Sequence, residues 1–563
     1  MKKRMIALLV IVVLLVSACS ANTEKKEEAK PAEETQTEVK NQDDKDSNHV
    51  KNLVIGTIGK NDIFNIVSAG GIFGSMNYNG FTQGNFVYRD ENGILQPFFF
   101  RSFEISDDGK ELTFTFPTDA IWHDGKPVTG DDIVFTFDYM KNVKKQGSLK
   151  ELESCTIEGE GKGKLVFSEP MAYYWLNSSS FNSRVYPKHV WENITDYREY
   201  TGEDAAIGCG PYKLVKVDKE SQTSYYEAVP ENNYAGDVTV DKVTCQTYSD
   251  KSALLMALVQ GEVDAMYNYA NPIDAHLIET AIGVPDVDLG ESDYSGNFQM
   301  TYGMERKPFD DINFRKAVRM SLDYKKIAEV INGSYGTAPG AGIIPPSCKG
   351  YDSSLPILSK NLEEANKILD EAGYLDQDGD GFRDYPDGSE LDVMVTQQFS
   401  SSRQELFNRL SESIMASLTE LNIKSHIDQD SLRSDEVWEK NITDGKYDLS
   451  LGYTTSGMAY YSSAFRYFLA DPRFEGEETW IWGTFHNDEY RDAYFGMVLA
   501  KNDDEYIKNS MKLQNMANEY CYAQALCWEK AFFPYRTDKY EGWQNYPSWG
   551  VINPRTFFVL TEK

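Results

Sequence analysis

The stretch Asp376-Gln377-Asp378-Gly379-Asp380-Gly381-Phe382-Arg383-Asp384-Tyr385-Pro386-Asp387 carries the clearest ligand chemistry in the sequence. Counted from Asp376, carboxylates fall at positions one, three, five, nine and twelve (Asp376, Asp378, Asp380, Asp384, Asp387). Gly381 stands at position six, and the Phe382 carbonyl is the expected oxygen at seven. Hard oxygen ligands at this spacing match a calcium loop of the EF-hand type. Asp387 is shorter than the usual glutamate and a strand, not a helix, should follow, so the ion expected is structural, not catalytic. The plain alternative is an acidic, glycine-punctuated surface loop. Trp122-His123-Asp124-Gly125 sets an imidazole beside a carboxylate. Neighbours on a strand point to opposite faces, and Asp-Gly signals a tight turn, so a structural turn is expected. The six histidines, His49, His123, His189, His276, His426 and His486, are scattered. With no HExxH, GxSxG or nucleophile pattern, and no carboxylate pair singled out as in a glycosidase, an enzyme is not the expectation.

The elements that position these residues are legible nearby. Leu112, Phe114 and Phe116 alternate with Thr113, Thr115 and Pro117, the period of a half-buried strand, after an Asp107-Asp108-Gly109 turn. Thr129 and Asp132 form a capping box for a helix through Ile133, Val134, Phe137 and Tyr139. The combined pattern SxDGxxxTFxFxxxAxWHDGxPVTxDDIVFTFxYM resembles the family 5 extracellular solute-binding proteins of ABC importers, the peptide- and nickel-binding group. Gly208-Cys209-Gly210-Pro211-Tyr212, Gly261-Glu262-Val263-Asp264 and Asp310-Asp311-Ile312-Asn313-Phe314-Arg315 are further matches to it. The Leu-Asp-Pro usual after the first strand is absent here, which implies a reshaped pocket edge near Phe73 and Asn77.

Lys2, Lys3 and Arg4 precede an apolar run from Met5 to Val16, then Ser17, Ala18 and Cys19, an export signal too short for a comfortable membrane span. Val16-Ser17-Ala18-Cys19 resembles a bacterial lipobox, implying cleavage after residue 18 and acylation of Cys19. Residues 20–50 are charged and nearly devoid of apolar side chains, the composition of a solvated stalk. The protein is expected at the outer face of the cell membrane, lipid-anchored in the Gram-positive manner. A formal charge of -32 excludes a nucleic-acid surface and reads as solubility. Cys155, Cys209, Cys245, Cys348, Cys521 and Cys527 show no metal spacing, and their pairing is left open.

The fold class expected is α/β, two-lobed and periplasmic-binding-protein-like (Venus flytrap), with three α/β regions. Lobe 1 combines a core of 51–87, 205–295 and 530–563 with an additional domain, 88–204; lobe 2 is 296–529. Lys251–Gln260 reads as a helix with Leu254, Leu255, Leu258 and Val259 on one face. Strand alternation at 391–395, a helix at 403–421 and a strand at 423–427 make a βαβ unit. With Trp438 on the next helix and a strand over Tyr447–Tyr453, this predicts a largely parallel sheet. Ligands of such sheets bind beyond the carboxyl ends of the strands. The pocket is therefore placed just after Tyr453.

The resemblance implies capture of a solute, an oligopeptide first and an oligosaccharide second, by lobe closure and its delivery to permease subunits by a monomeric protein without catalytic cofactor. A peptide-pheromone co-receptor is the second alternative and an extracellular hydrolase the third. Nickel is disfavoured because no histidine cluster is present. Peptide-binding relatives follow the strand with an acidic clamp for the ligand's ammonium. Here Thr454-Thr455-Ser456-Gly457-Met458-Ala459-Tyr460-Tyr461 follows, with no acid until Asp471. Candidate ligand contacts are Phe73, Asn77, Tyr453, Thr454, Tyr460, Tyr461, Trp480 and Trp482, the aromatic rings offering stacking faces.

Overall fold

The computed structural model describes residues 48–60, 64–65, 80–179, 183–267, 273–400, 403–455, 460–469, 471–474, 485–546 and 549–563. All belong to one compact unit, Asn48–Lys563. Cys19, Phe73, Asn77, Trp480 and Trp482 lie outside the described residues.

Leu112 and Phe114 are buried and Thr113 exposed on the strand Glu111–Thr115, as the alternation requires. It sits in a four-stranded antiparallel sheet ordered Ser102–Ile105, Glu111–Thr115, Lys162–Phe167, Leu152–Gly159. Helix α1, Gly130–Asn142, packs on that sheet. One Asp132 oxygen accepts from the Thr129 N–H at 2.9 Å and from its hydroxyl at 2.8 Å, so the expected box forms.

The ten strands of the large sheet are numbered in chain order: β1 Leu53–Ile58, β2 Tyr212–Asp218, β3 Thr223–Ala228, β4 Lys242–Tyr248, β5 Ala265–Met266, β6 Val287–Tyr302, β7 Asp392–Gln397, β8 Lys424–Ile427, β9 Leu449–Thr455 and β10 Ala523–Arg536. Their spatial order is β8-β7-β9-β6-β10-β5-β1-β4-β3-β2. The predicted βαβ unit is present: β7 runs parallel to β8 and β9, with helix Gln404–Glu420 as the crossover after β7. The three strands of that segment are parallel, as predicted, while the ten-stranded sheet they belong to is mixed. β6 and β10 run antiparallel to each other, and β6 antiparallel to β9. The reason is their length, 16 and 14 residues. Each is long enough to pair with β5 or β9 at opposite ends of the sheet, so the two strands carry one ladder from the β1 half to the β7 half. The ladder is irregular between Ser292 and Gly296, where several β6 residues face one of β10, and such bulges bend and twist a strand.

Around these strands, α2 (Lys251–Gln260) opens on the Asp250 cap, which accepts from the Ala253 N–H at 2.8 Å. It ends at Gly261, whose φ of 81° is the left-handed geometry that glycine tolerates. Helix α3 is Ala275–Ala281. Separate apolar cores form around Val393, Ile414 and Phe298 in one half and around Leu53, Tyr212 and Phe557 in the other. A third core joins the 86–209 region to residues 343–348 and 438–523. The six described cysteines are free thiols. Among the described residues no helix is long and apolar enough to cross a membrane.

Candidate functional site

The His123-Asp124 turn is structural, as the strand geometry implies. The His123 backbone N–H donates to the Gly208 carbonyl at 2.9 Å and its Nε2 pairs with the Gly210 carbonyl at 3.0 Å. Burial pushes its pKa down to about 4, so the ring is neutral. Asp124 turns away to His189, 2.9 Å, and Lys126, 2.8 Å. Two sequence landmarks thus pin each other and hold no reactive pair.

The carboxyl end of β9 meets the β6–β10 crossing at Tyr453. Its ring lies against Gly296, where a Cβ would come within 2.0 Å of the Tyr453 hydroxyl, so only glycine leaves room. The hydroxyl donates to Glu529 Oε2 at 3.0 Å. The Arg403 guanidinium, from the turn after β7, lies 3.7 Å over the same ring. Burial opposes the Arg403 charge, but Tyr453, Glu529 and Asp274 outweigh it and raise its pKa. From the other half of the sheet, Lys251 at the start of α2 pairs with Asp274, the residue before α3, at 2.7 Å. Burial holds the Lys251 pKa below its ordinary value, and Glu529 and Arg403 both act on it. Two cations and two anions therefore meet where the halves join.

On the opposite face of the crossing strands, several polar atoms are buried without a hydrogen-bond partner. Among the described residues they are Asn297 Oδ1 and Gln299 Nε2, with Thr454 Oγ1 and the Tyr461 hydroxyl turned only toward each other. Asn297 Nδ2 is used, donating to the Ile343 carbonyl at 3.0 Å. Buried groups left this way cost about 1–3 kcal/mol each unless a further partner arrives.

Tyr460 stands elsewhere, in the core that joins the 86–209 region to the C-terminal half. Its hydroxyl donates to Asp503 Oδ1 at 2.6 Å and faces the Tyr173 hydroxyl at 3.2 Å. Tyr173 also donates to Asp503, and the Lys349 ammonium pairs with Asp503 Oδ2. Arg89 lies 4.9 Å over the Tyr460 ring. Burial acts to raise the Asp503 pKa, but Lys349 and the two hydroxyls hold it below the ordinary value. Tyr453, Thr454, Tyr460 and Tyr461 are thus all buried and serve three distinct surroundings.

The aspartate loop is brought together in part. Ligand oxygens of Asp376, Asp378 and Asp384 lie within 4.8 Å of one another. The Gly381 N–H donates to Asp376 Oδ2 at 3.1 Å, closing the loop between its first and sixth positions. Asp380 is instead drawn to Lys424 at 2.8 Å, while its other oxygen accepts from the Phe382 N–H. Asp387 accepts from the Ser389 N–H and hydroxyl and borders a cavity of about 290 Å³ with Lys307, Asp310 and Asp311. Of the five carboxylates of the loop, three are thus grouped, while Asp380 and Asp387 bond elsewhere.

Glu529 and Asp503 were missed by a reading that looked for an acid just after β9. For Glu529 the available signal was the Glu529-Lys530 pair inside the mostly apolar run Ala523–Tyr535, since a charge in a buried strand needs a reason.

The family model for bacterial extracellular solute-binding proteins, family 5 (middle), matches residues 95–475. The chain belongs to this family. Among its family 5 relatives, a putative ABC transporter peptide-binding protein of Brucella ovis is 26% identical over 285 residues, covering 49% of this chain and 51% of that protein. The chain thus spans about half the length of that relative. The oligopeptide-binding protein AppA of Bacillus subtilis is 26% identical over 427 residues, 71% of this chain and 72% of AppA. The AppA structure with a nonapeptide superposes with a TM-score of 0.71 at 18% identity, covering 91% of this chain and 99% of AppA. An oligopeptide-binding protein of Thermotoga maritima gives a TM-score of 0.74 at 19% identity with the same coverage, and its mannohexaose-bound structure gives 0.70. The solute-binding protein therefore has the expected two-lobed α/β fold.

Proposed function

We propose that this solute-binding protein captures an extracellular oligopeptide by closing two lobes upon it and hands it to the permease subunits of an ABC importer. The lobes are assigned as 51–87 with 205–295 and 530–563, joined by the additional domain 88–204, against 296–529. The observation that carries this reading is the set of charges at the β6–β10 crossing: Lys251 and Asp274 from one half, Arg403 and Glu529 from the other. A peptide has charged ends and a hydrogen-bonding backbone, and such a set answers both in a cleft that excludes water. Closure follows only if the solute binds the closed state better than the open one, and contacts drawn from both halves supply that difference.

An oligosaccharide is the second reading, favoured by the neutral buried atoms of Asn297 and Gln299 that lack a partner among the described residues and by the neutral hydroxyls of Thr454 and Tyr461. Native mass spectrometry of the chain exposed separately to oligopeptide and oligosaccharide pools tests the two. Retained peptides support the first, retained sugars alone the second, and retention of neither removes both. Acylation at Cys19 would place the protein at the outer membrane face, and its loss in Cys19→Ala would release the chain to the medium. The monomeric state and the absence of catalysis are part of the same proposal.

The aspartate loop is read as a structural calcium site of Asp376, Asp378 and Asp384, supported by the Asp376–Gly381 closure. Calcium at a hundredfold excess over Kd should stabilise the fold by about 2.7 kcal/mol. Chelation should reverse this, and Asp376→Ala should abolish the response.

A further inference from the structure

The crossing of the lobes holds one carboxylate that the fold leaves incompletely compensated. Glu529 is only 8% exposed. Its Oε2 accepts one neutral donor, the Tyr453 hydroxyl at 3.0 Å, while Oε1 has no hydrogen-bond partner among the described residues. Among the described residues it takes part in no ion pair within 4 Å, and two cations that act on it are engaged elsewhere: Arg403 over the Tyr453 ring, Lys251 on Asp274. Withdrawing a carboxylate from water costs several kcal/mol after relaxation, and one neutral hydrogen bond does not offset that. Asp503 marks the contrast, since it has gathered a lysine ammonium and two hydroxyls.

Position adds to this. Glu529 is paired in the ladder with Gly296, on the lobe 2 side of the irregular crossing, and Ala531 with Ser292 on the other. Tyr453 fixes the carboxylate from one side and leaves the second oxygen open. The four charges of the cluster, Lys251, Asp274, Arg403 and Glu529, already sum to zero, so a guest that is itself a zwitterion leaves the balance intact where a simple cation or anion would not.

We propose that Glu529 is the specificity-determining residue of the cleft: its open oxygen receives a primary ammonium of the solute, the α-ammonium of an unblocked peptide. This rests on the peptide reading above and goes further, because the clamp comes from β10 and not from the loop after β9.

The test uses the full chain with two hexapeptide pools of identical composition, one with free amino termini and one N-acetylated, read by native mass spectrometry and by calorimetric Kd. The wild type is expected to prefer the free pool by about tenfold or more. Glu529→Gln, which keeps the acceptor for Tyr453, should bring that ratio close to one, and Glu529→Asp should restore part of it. Equal retention of both pools by the wild type overturns the assignment without any variant. Undiminished preference in a folded Glu529→Gln also overturns it. If neither pool binds but neutral oligosaccharides do, the peptide reading fails and takes this assignment with it, a pattern distinct from the other two.

Discussion

Asp503 and Glu529 are both acids that join the two halves of the molecule, and they are solvated in opposite ways. Asp503 is saturated: Lys349, Tyr173 and Tyr460 converge on it, from residues as far apart in sequence as 173 and 503. Among the described residues Glu529 is bonded on one oxygen only. The first arrangement is complete without a guest and holds the 86–209 region against the C-terminal half. The second is complete only with one. A carboxylate's unfilled hydrogen-bonding capacity, more than its presence in a cleft, separates a structural contact from a recognition contact.

Acid is the widest lever on this comparison, and its largest effect comes from neither carboxylate. His123 has a folded pKa of about 4 against an ordinary 6.5. The unfolded chain therefore takes up the proton first. Stability contributed by the neutral ring is whole above pH 6.5 and is lost as pH falls to about 4, by about 3 kcal/mol. Urea titrations of wild type and His123→Gln at pH 7 and pH 4 should show that difference, after which the carboxylates become visible. Gly296→Ala attacks the open site by driving a methyl into the Tyr453 ring. It should cost about 1–3 kcal/mol and loosen the ring from Glu529.

Asp503→Asn attacks the saturated site and should cost about 1–2 kcal/mol in the same titration. Because the folded pKa of Asp503 is depressed below 3.8, its charge-dependent share is complete above that pH and fades below it, so wild type and variant should converge in strong acid. The smallest effect is expected for Glu529→Gln without solute. Neutralising an incompletely paired buried charge should leave stability unchanged or slightly higher, by less than about 1 kcal/mol. A marked loss there, with none for Asp503→Asn, would reverse the assignment of the two acids.

What the sequence determined by itself was local. The Thr129–Asp132 box, the glycine stop at Gly261, the β7–helix–β8 unit and the turn at His123 are each set by residues within a few positions, and short-range sterics and hydrogen bonding decide them. The aspartate loop shows where that reach ends. Its spacing implied five carboxylates, but Lys424, from the far side of α-helix Gln404–Glu420, takes Asp380 away. Only the tertiary structure decided that β6 and β10 carry one ladder across both halves, because the residues of a strand say nothing of which neighbours it meets. It also decided that the acid at the crossing comes from residue 529 and not from the segment after Tyr453, while Asp503 is spent in the core beside Tyr460. Charge pairing across hundreds of residues depends on which strands are brought side by side, and that is a property of the packed sheet.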